Sequence, residues 1–191
     1  MKPAAVILAA GESSRMGSPK PLLPYEGETF LDRLIGLLTP RCHPVIVVLG
    51  AASETILAGL ARPATFVINP NYAEGQTSSM QCGLHAVPAD VPSVLFTLAD
   101  HPAVAPETLD AVLANSDARV CVPRYHGKRG HPILFSRALI DEFLALHPDA
   151  AARDVVHAHA DETIFLDLDD PGIVTDIDNP DAYRSLLEGG V

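Results

Sequence analysis

The sequence predicts an α/β fold with a mostly parallel sheet and helices on both faces. Short and largely apolar runs, typical of buried strands, occur at 4–10, 44–50, 65–68 and 93–98, and the first of them is apolar throughout. Helical patterns lie between these runs along the chain. Such an alternation of strands with helices indicates a parallel sheet, because each crossover connection needs room for a helix.

The helices are predicted from apolar spacing and from residues typical of helix ends. Thr29 precedes the first helical pattern, and Asp32 follows it by three residues, which resembles a capping box. Ser53 is predicted to cap a short helix that ends at Leu60, and Pro106 suits the first turn of a later one. The remaining predicted helices cover 76–87, 105–116, 136–146 and 149–158.

The second half of the sequence is less regular. Two strand-like runs flank "HGKRG" at 126–130, which indicates a hairpin. Residues 167–183 mix short extended pieces with acidic turns, and Asn179 begins the last predicted helix. No stretch has the composition of a linker, so we expect a single domain over 1–191.

Composition limits the kinds of partner. The chain has a formal net charge of -11 and only 13 lysines and arginines. An acidic surface argues against nucleic acid and against anionic membranes, so an anionic ligand needs a local cluster of cations. Cys42, Cys82 and Cys121 lie far apart, which favours reduced thiols in a cytoplasmic protein. The apolar stretch at 4–10 is too short to span a membrane.

The loop at 10–20 has the chemistry of a phosphate-binding loop. It follows the first predicted strand, and ligands of parallel sheets bind at the carboxyl ends of strands. Gly11 and Gly17 allow backbone N–H groups to turn inward. Arg15 and Lys20 supply a forked donor and a point charge for phosphate oxygens. The alternative is an ordinary surface loop with two solvated cations.

Aspartates expected at the same sheet edge are candidates for holding Mg²⁺. Asp100 directly follows the fourth predicted strand. Asp176 and Asp178 share a face of an extended chain, and one of them can complete a magnesium site with Asp100. The alternative for these two is helix capping around Asn179. His101 can touch a substrate, although a solvated loop histidine is the more common case.

Three further stretches carry polar groups. Gly75 to Ser79 precede or open a helix and can bind a base or a ribose through backbone groups. The hairpin at 123–132 suits a second anionic ligand or is equally well a solvated tip. Its cations are Arg124, Lys128 and Arg129. His157 and His159 lie two apart on a predicted helix and face different ways, which argues against a metal site.

Taken together, these stretches resemble the small nucleotidyltransferases of the molybdenum-cofactor group, the MobA-like family. "LAAGESSRMGSPK" at 8–20 is similar to the family signature LAAGxSxRMGxxK. The likeness continues in order through "NPNYAEGQTSSMQCG", "LADHP", "GKRGHPILF" and "TDIDNPDAY". It is strongest to the cytidylyltransferases, beside the related guanylyltransferases. The resemblance implies a Rossmann-like GT-A fold and Mg²⁺-dependent transfer of CMP from CTP to the phosphate of molybdopterin or the molybdenum cofactor.

The resemblance also implies roles for individual residues. Arg15 and Lys20 hold the triphosphate and, with Asp100, are the implied catalytic residues. Asp100 and Asp178 bind Mg²⁺. The implied nucleotide-binding residues are Leu8, Ala9, Ala10, Gly11, Arg15, Lys20, Gly75 and Ser79. The N-terminal part then binds nucleotide, and 120–175 lies mainly on the acceptor side. His101 departs from the glutamine common in relatives.

Two other functions fit parts of this pattern. One is a sugar- or alditol-phosphate nucleotidyltransferase on the same fold, and the other is a non-catalytic carrier of a finished pterin cofactor. The presence of Arg15, Lys20, Asp100 and Asp178 together favours turnover. The reading LAAG that ends at Gly11 favours CTP, since relatives that use guanine tend to read LAGG. A molybdoenzyme or its chaperone is a further expected partner.

Overall fold

The computed structural model describes residues 1–189, so Gly190 and Val191 of the expected domain lie outside the described residues. The strands are β1 (Ala4–Ala9), β2 (Pro24–Tyr25), β3 (Glu28–Thr29), β4 (Val45–Leu49), β5 (Thr65–Ile68), β6 (Ser93–Leu98), β7 (Val120–Tyr125), β8 (Lys128–Arg129), β9 (Ile133–Ser136) and β10 (Thr163–Asp167). The α-helices are α1 (Phe30–Leu38), α2 (Ser53–Gly59), α3 (Gln76–His85), α4 (Pro106–Leu113), α5 (Ile140–Leu144), α6 (Ala152–Ala158) and α7 (Pro180–Leu187).

The main sheet has eight strands in the order β10-β7-β9-β6-β1-β4-β5, with β8 paired to β7. β1 lies between β4 and β6 and is parallel to both, and β5 continues the parallel part beyond β4. β9 runs antiparallel to β6 and to β7, and β10 is parallel to β7. The prediction of a mostly parallel sheet is therefore confirmed.

Helices cover both faces of the sheet, as the largely apolar strands predicted. Side chains of β1 alternate between two core clusters: Val6 faces the layer of α3, α5 and α6, whereas Ile7 faces that of α1, α2 and α4. α3 approaches the sheet closely at Gly83, where a Cβ would lie 2.7 Å from Val48 Cγ2 and 2.8 Å from Val6 Cγ1. Glycine at this position therefore lets the helix pack directly on β1 and β4.

The N-terminus of α1 shows how the capping prediction is realised. Thr29 Oγ1 accepts a hydrogen bond from Asp32 N at 3.0 Å. The Asp32 side chain is 4% exposed, and its Oδ1 accepts from Ala61 N at 3.1 Å and from Arg62 N at 2.8 Å. One aspartate thus fixes the loop after α2 against the first turn of α1.

Several predicted details are wrong at the ends of elements. Ser53 is the first residue of α2 rather than its cap, because Ala52 occupies the N-cap position with φ 54° and no side-chain bond. The helix predicted at 136–146 is a 3₁₀ turn over Arg137–Leu139 followed by the short α5. The edge strand β10 has no long apolar run and was not predicted, and neither was the β2–β3 hairpin.

The three cysteines differ in how deeply they are buried. Cys42, Cys82 and Cys121 are free thiols. Burial raises the pKa of Cys42 to about 12 and that of Cys121 to about 11, so both are protonated and unreactive near neutral pH. Within residues 1–189, no helix combines the length and the apolar run that crossing a bilayer requires.

His159 joins two elements at the end of α6. Its Nδ1 lies 2.9 Å from Glu162 Oε1 and its Nε2 lies 2.7 Å from Glu142 Oε2. Hydrogen bonds to Glu162 and then to Glu142 raise the pKa of His159 above its ordinary value. Since the folded-state pKa is the higher one, the imidazolium stabilises the fold below the unfolded pKa, and this contribution is lost as pH rises through the folded pKa.

We predict that His159→Gln lowers the free energy of unfolding at pH 6 and that the deficit shrinks above the raised pKa. Urea unfolding of both proteins between pH 6 and pH 9 measures the difference. His157→Gln is the matched control, because His157 is exposed on the same helix and has no side-chain partner among the described residues. A deficit that stays constant over this range would show that His159 acts through packing alone.

Candidate active site

The carboxyl ends of β1 and β6 open into a cavity of about 300 Å³. The two strands are neighbours, and the chain leaving each of them continues into the cavity wall. The predicted site residues in this wall are Leu8, Ala9, Ala10, Gly11, Lys20, Gly75, Ser79 and Asp100. The remaining two, Arg15 and Asp178, reach the same place through ion pairs. The structure therefore brings all ten predicted residues together.

The loop after β1 is closed on itself by its own side chains. Ser13 adopts φ 53°, and its Oγ accepts a hydrogen bond from Lys20 N at 2.9 Å. Met16 N donates to Ser13 O at 2.9 Å, and Gly17 adopts φ 69°, a conformation that favours glycine. Ser13 is thus a lining residue that also fixes the backbone from which the Lys20 side chain extends.

Two cations and two carboxylates form an ion cluster at the cavity. Lys20 Nζ lies 2.7 Å from Asp178 Oδ1 and 3.3 Å from Asp100 Oδ2. Arg15 Nη2 lies 3.4 Å from Asp178 Oδ2. The hydrogen bond from Lys20, followed by the charges of Lys20 and Arg15, lowers the pKa of Asp178, so this carboxylate is ionised near neutral pH.

Backbone contacts explain how the segment that contains Asp178 is held at the cavity. Ile177 N donates to Asp100 O at 3.0 Å, and the Ile177 side chain is fully buried beside Phe30. Asp178, on the other side of the extended chain, then faces the cavity. Asn179 Oδ1 accepts from Ala182 N at 2.9 Å, so the predicted capping of the last helix holds as well.

The donor set fits a hard divalent cation. Asp100 Oδ2 and Asp178 Oδ1 both contact one ammonium, which shows that a single cation can bridge them. Asp100 Oδ1 is buried and has no hydrogen-bond partner among residues 1–189. Over the same residues no group of three or more His, Cys, Asp or Glu side chains could hold a metal. A cation held by these two carboxylates would take further oxygen ligands from a substrate or water, as is usual when Mg²⁺ accompanies a polyphosphate.

His101 is buried rather than solvated, so that prediction is wrong. The residue is 5% exposed because the segments around His131 and Ile177 cover the loop after β6. Its ring centroid lies 5.2 Å from that of His131, and its Nε2 lies 3.8 Å from Asp100 Oδ1. Burial, and then the charge of His101, lowers the pKa of His131 to about 4, so His131 is neutral near neutral pH.

A second cavity, of about 490 Å³, adjoins the first and shares Gln76 and Leu98 with it. Its floor is apolar and consists of Met80, Phe96, Leu98, Val122, Ile133 and Val156. Of the three predicted hairpin cations, only Arg129 lines this cavity. Arg153 of α6 also lines it, and sequence reasoning missed this residue because a lone arginine on a short helix carries no motif.

The sequence profile of the MobA-like NTP transferase domain matches residues 5–163. The chain belongs to this family. It is therefore a nucleotidyltransferase with the Rossmann-like GT-A fold that the resemblance implied.

Several individual proteins are similar to this chain along nearly their whole length. Molybdenum cofactor cytidylyltransferase of Escherichia coli K12 is 28% identical over 185 residues, which cover 96% of this chain and 94% of the relative. Nicotine blue oxidoreductase of Paenarthrobacter nicotinovorans is 29% identical over 194 residues, covering 95% of each chain. The crystal structure of Rv0371c from Mycobacterium tuberculosis superimposes with a TM-score of 0.87 at 31% identity, covering 98% of this chain and 99% of that one. A structure of Rv0371c in complex with manganese gives a TM-score of 0.83 at 29% identity over the same shares.

We predict that Lys20→Met increases the affinity of the nucleotide-free protein for Mn²⁺ by about tenfold or more, because an ammonium no longer competes for the two carboxylates. Titration of Mn²⁺ followed by electron paramagnetic resonance measures free and bound metal directly. Arg41→Met is the control, since Arg41 is a cation paired to Asp110 that does not line the cavity. Equal affinities of Lys20→Met and wild type would show that Lys20 does not compete with the metal.

Proposed function

We propose that this nucleotidyltransferase transfers CMP from CTP to the phosphate of molybdopterin or the molybdenum cofactor, with Mg²⁺ as the metal. The observation that carries the proposal is the ion cluster of Arg15, Lys20, Asp100 and Asp178 beside the loop that follows β1. The E. coli relative named molybdenum cofactor cytidylyltransferase matches along nearly its whole length and supports the same choice of substrates.

The transfer is a displacement at the α-phosphate of the nucleotide. An oxygen of the acceptor phosphate forms a new bond to the α-phosphorus while the bond to the bridging oxygen of the β-phosphate breaks, and pyrophosphate leaves. The acceptor phosphate is already ionised, so no residue has to remove a proton from it. The burden on the protein is therefore to align the two phosphates and to neutralise their charge.

Each member of the ion cluster has a part in that task. Arg15 binds oxygens of the triphosphate, and Lys20 exchanges its carboxylate partners for the triphosphate and neutralises the leaving pyrophosphate. Asp100 and Asp178 would hold Mg²⁺, which when bound supplies Lewis-acid stabilisation of the phosphate oxygens. Backbone N–H groups of the loop from Ala10 add further donors.

The nucleoside is proposed to lie between β1 and the start of α3. Ser79 is 4% exposed, and its Oγ accepts from Asn69 Nδ2 at 3.0 Å, which leaves the hydroxyl hydrogen for a ligand. Gly75 adopts φ 112°, a conformation that favours glycine and presents backbone rather than a side chain to the cavity. Both residues are suited to hydrogen-bond a ribose or a cytosine.

The other candidate functions explain less of the structure. A non-catalytic carrier has no use for two cations and two carboxylates around one position. A sugar- or alditol-phosphate nucleotidyltransferase would use the same ion cluster and differ only in its acceptor. The relative named as an oxidoreductase shows that overall identity near 29% accompanies different names in this family, so the acceptor must be argued from residues. We further propose a cytoplasmic enzyme that hands its product to a molybdoenzyme or its chaperone.

The direct test is pyrophosphate release with each nucleoside triphosphate against separate acceptors. Molybdenum cofactor should support release with CTP, and ribitol 5-phosphate or a hexose 1-phosphate should not. Release with a sugar phosphate and none with molybdenum cofactor would replace the proposed acceptor.

We predict that Asp100→Asn and Asp178→Asn each lower turnover by at least about 100-fold with the fold intact, because each removes one of two anionic metal ligands. Asp169→Asn is the control, since that exposed aspartate lies outside the cavity and makes no ion pair with Lys20. Steady-state turnover at saturating Mg²⁺, with circular dichroism as the check on folding, measures the effect. Wild-type turnover in either cavity variant would remove that residue from the metal site.

We predict that CTP is preferred over GTP by roughly 10- to 200-fold in catalytic efficiency. Ala10 is 5% exposed and its methyl group lies in the α3-side core cluster at the cavity, where it takes space from a larger purine. Ala10→Gly should move the ratio toward GTP. Ala9→Gly is the control, because it loosens the same backbone but its methyl lies on the other face of the sheet. A wild-type ratio at or below one would exclude the cytidylyl assignment.

A further inference from the structure

One wall of the second cavity is a short segment, residues 147–151, that belongs to neither a helix nor a strand and connects α5 to α6. Pro148, Ala150 and Ala151 of this segment line the cavity. None of its residues lines the nucleotide cavity at the ends of β1 and β6. The position of the segment therefore sets the shape of the second cavity on this side and of no other part of the candidate active site.

The 147–151 segment has few hydrogen bonds to the rest of the protein. Ala151 N donates to Asp154 Oδ2 at 2.9 Å, a bond that reaches only the first turn of α6. Thr77 Oγ1 donates to Ala150 O at 2.5 Å. In the part of the chain that the structure describes, this second bond is the one hydrogen bond that joins the segment to an element other than α6. Thr77, on α3, is therefore the polar anchor of the cavity wall.

The same face of α3 also holds the chain just before the segment. Gln81 Nε2 donates to Leu146 O at 3.0 Å and to Leu144 O at 3.2 Å. Carbonyl groups at the end of a helix lack partners within it, so Gln81 satisfies groups that α5 leaves open. Gln81 follows Thr77 by four residues, which places both side chains on one face of α3. With the end of α5 fixed by Gln81, the hydrogen bond from Thr77 determines where the 147–151 segment lies.

The first turn of α3 takes part in both cavities. Gly75, Gln76 and Ser79 line the nucleotide cavity, and Gln76 lines the second cavity as well. Thr77 lies within this turn, lines the second cavity and is 6% exposed. One turn of helix thus presents groups to a nucleoside on one side and holds the wall of the second cavity on the other.

This arrangement links the two cavities energetically. A ligand stabilises the conformation in which its contacts exist, and only by the difference in its affinity for the two states. Contacts with the backbone of Gly75 and the hydroxyl of Ser79 exist when the first turn of α3 is formed and in place. Thr77 lies between these two residues, so a ligand that stabilises the turn also stabilises the bond from Thr77 to the wall.

We propose that Thr77 is a positioning residue that couples the two cavities. Its hydrogen bond to Ala150 O holds the 147–151 segment as a wall of the second cavity, and holds it more firmly when a nucleotide occupies the first cavity. The inference rests on the proposed function for the placement of the nucleoside beside Gly75 and Ser79. The wall is then an element that responds to nucleotide without touching it.

The test is hydrogen–deuterium exchange of the full chain, with and without α,β-methylene CTP and Mg²⁺, an analogue that cannot release pyrophosphate. At saturation, the analogue should slow exchange in the 147–151 segment of the wild type by about threefold or more. Thr77→Val keeps the shape of the side chain and removes the hydroxyl, so the segment should exchange about threefold faster without nucleotide. The analogue should then no longer slow it. Thr77→Ser keeps the donor and should restore both properties.

Thr39→Val is the matched control for the loss of a threonine hydroxyl. Thr39 Oγ1 donates the same kind of bond, to Ile35 O at 2.7 Å, at the end of α1 on the other side of the sheet. Thermal unfolding followed by circular dichroism checks that each variant is folded. Equal exchange of the 147–151 segment in Thr77→Val and Thr39→Val would overturn the proposal, and so would exchange in Thr77→Ser as fast as in Thr77→Val.

The same experiment separates this inference from the proposed function. If the analogue slowed exchange at 75–79 and left 147–151 unchanged in the wild type, the placement of the nucleoside would stand and the coupling through Thr77 would fail. If the analogue slowed neither stretch while Thr77→Val still loosened 147–151, the proposed nucleotide site would fail, and the positioning of the wall by Thr77 would stand without it.

Discussion

The contact of Lys20 with Asp100 and Asp178 ties together three distant parts of the chain at one edge of the sheet. Lys20 and Asp178 are 158 residues apart, and Asp100 follows the strand next to β1. Two like charges this close require a cation between them, so the lysine makes the arrangement stable without a metal. Because of this contact, Asp100 and Asp178 can bind another cation only when Lys20 also gains another anionic partner. In the function proposed above, a metal together with a triphosphate would meet this condition, because Asp100 and Asp178 would hold the metal while Lys20 and Arg15 would bind the phosphates.

The sheet explains why these groups meet. β1 and β6 are parallel neighbours, and each ends in a segment that lines the cavity. Because β1 and β6 are buried, polar groups that could bind a ligand lie at the ends of these strands. There the backbone and the side chains are open to a ligand. The C-terminal segment is then fixed on the edge by one backbone bond, from Ile177 to Asp100, and by the buried Ile177 side chain. Packing in the core thereby sets the geometry of charges outside it.

The parts of the fold that depend on local composition were predictable from the sequence. The buried strands, the cap of α1 at Thr29 and the loop to Lys20 follow from apolar runs, spacing and a family signature. Features that depend on long-range contacts were not. Asp178 is distinguished from Asp176 only by its ion pairs with the distant Lys20 and Arg15, and the burial of His101 rests on segments that cover it from far along the chain. The edge strand β10 has alternating exposure and too short an apolar run to be distinguished from a loop.

The roles of the hairpin cations also depend on long-range contacts that the sequence does not reveal. Their sequence leaves a second anion site and a solvated tip equally open, because three cations near two glycines suit both. The contacts in the structure distinguish these cations. Arg124 is neutralised by Asp167, whereas Arg129 lines the cavity next to the proposed nucleotide site. The two cavities then have opposite designs. The first neutralises its cations with its own carboxylates until substrate arrives, and the second keeps its arginines unpaired over an apolar floor. Exchange of partners in the first suits a metal and a polyphosphate, whereas the positive charge of Arg129 in the second has no carboxylate partner within residues 1–189.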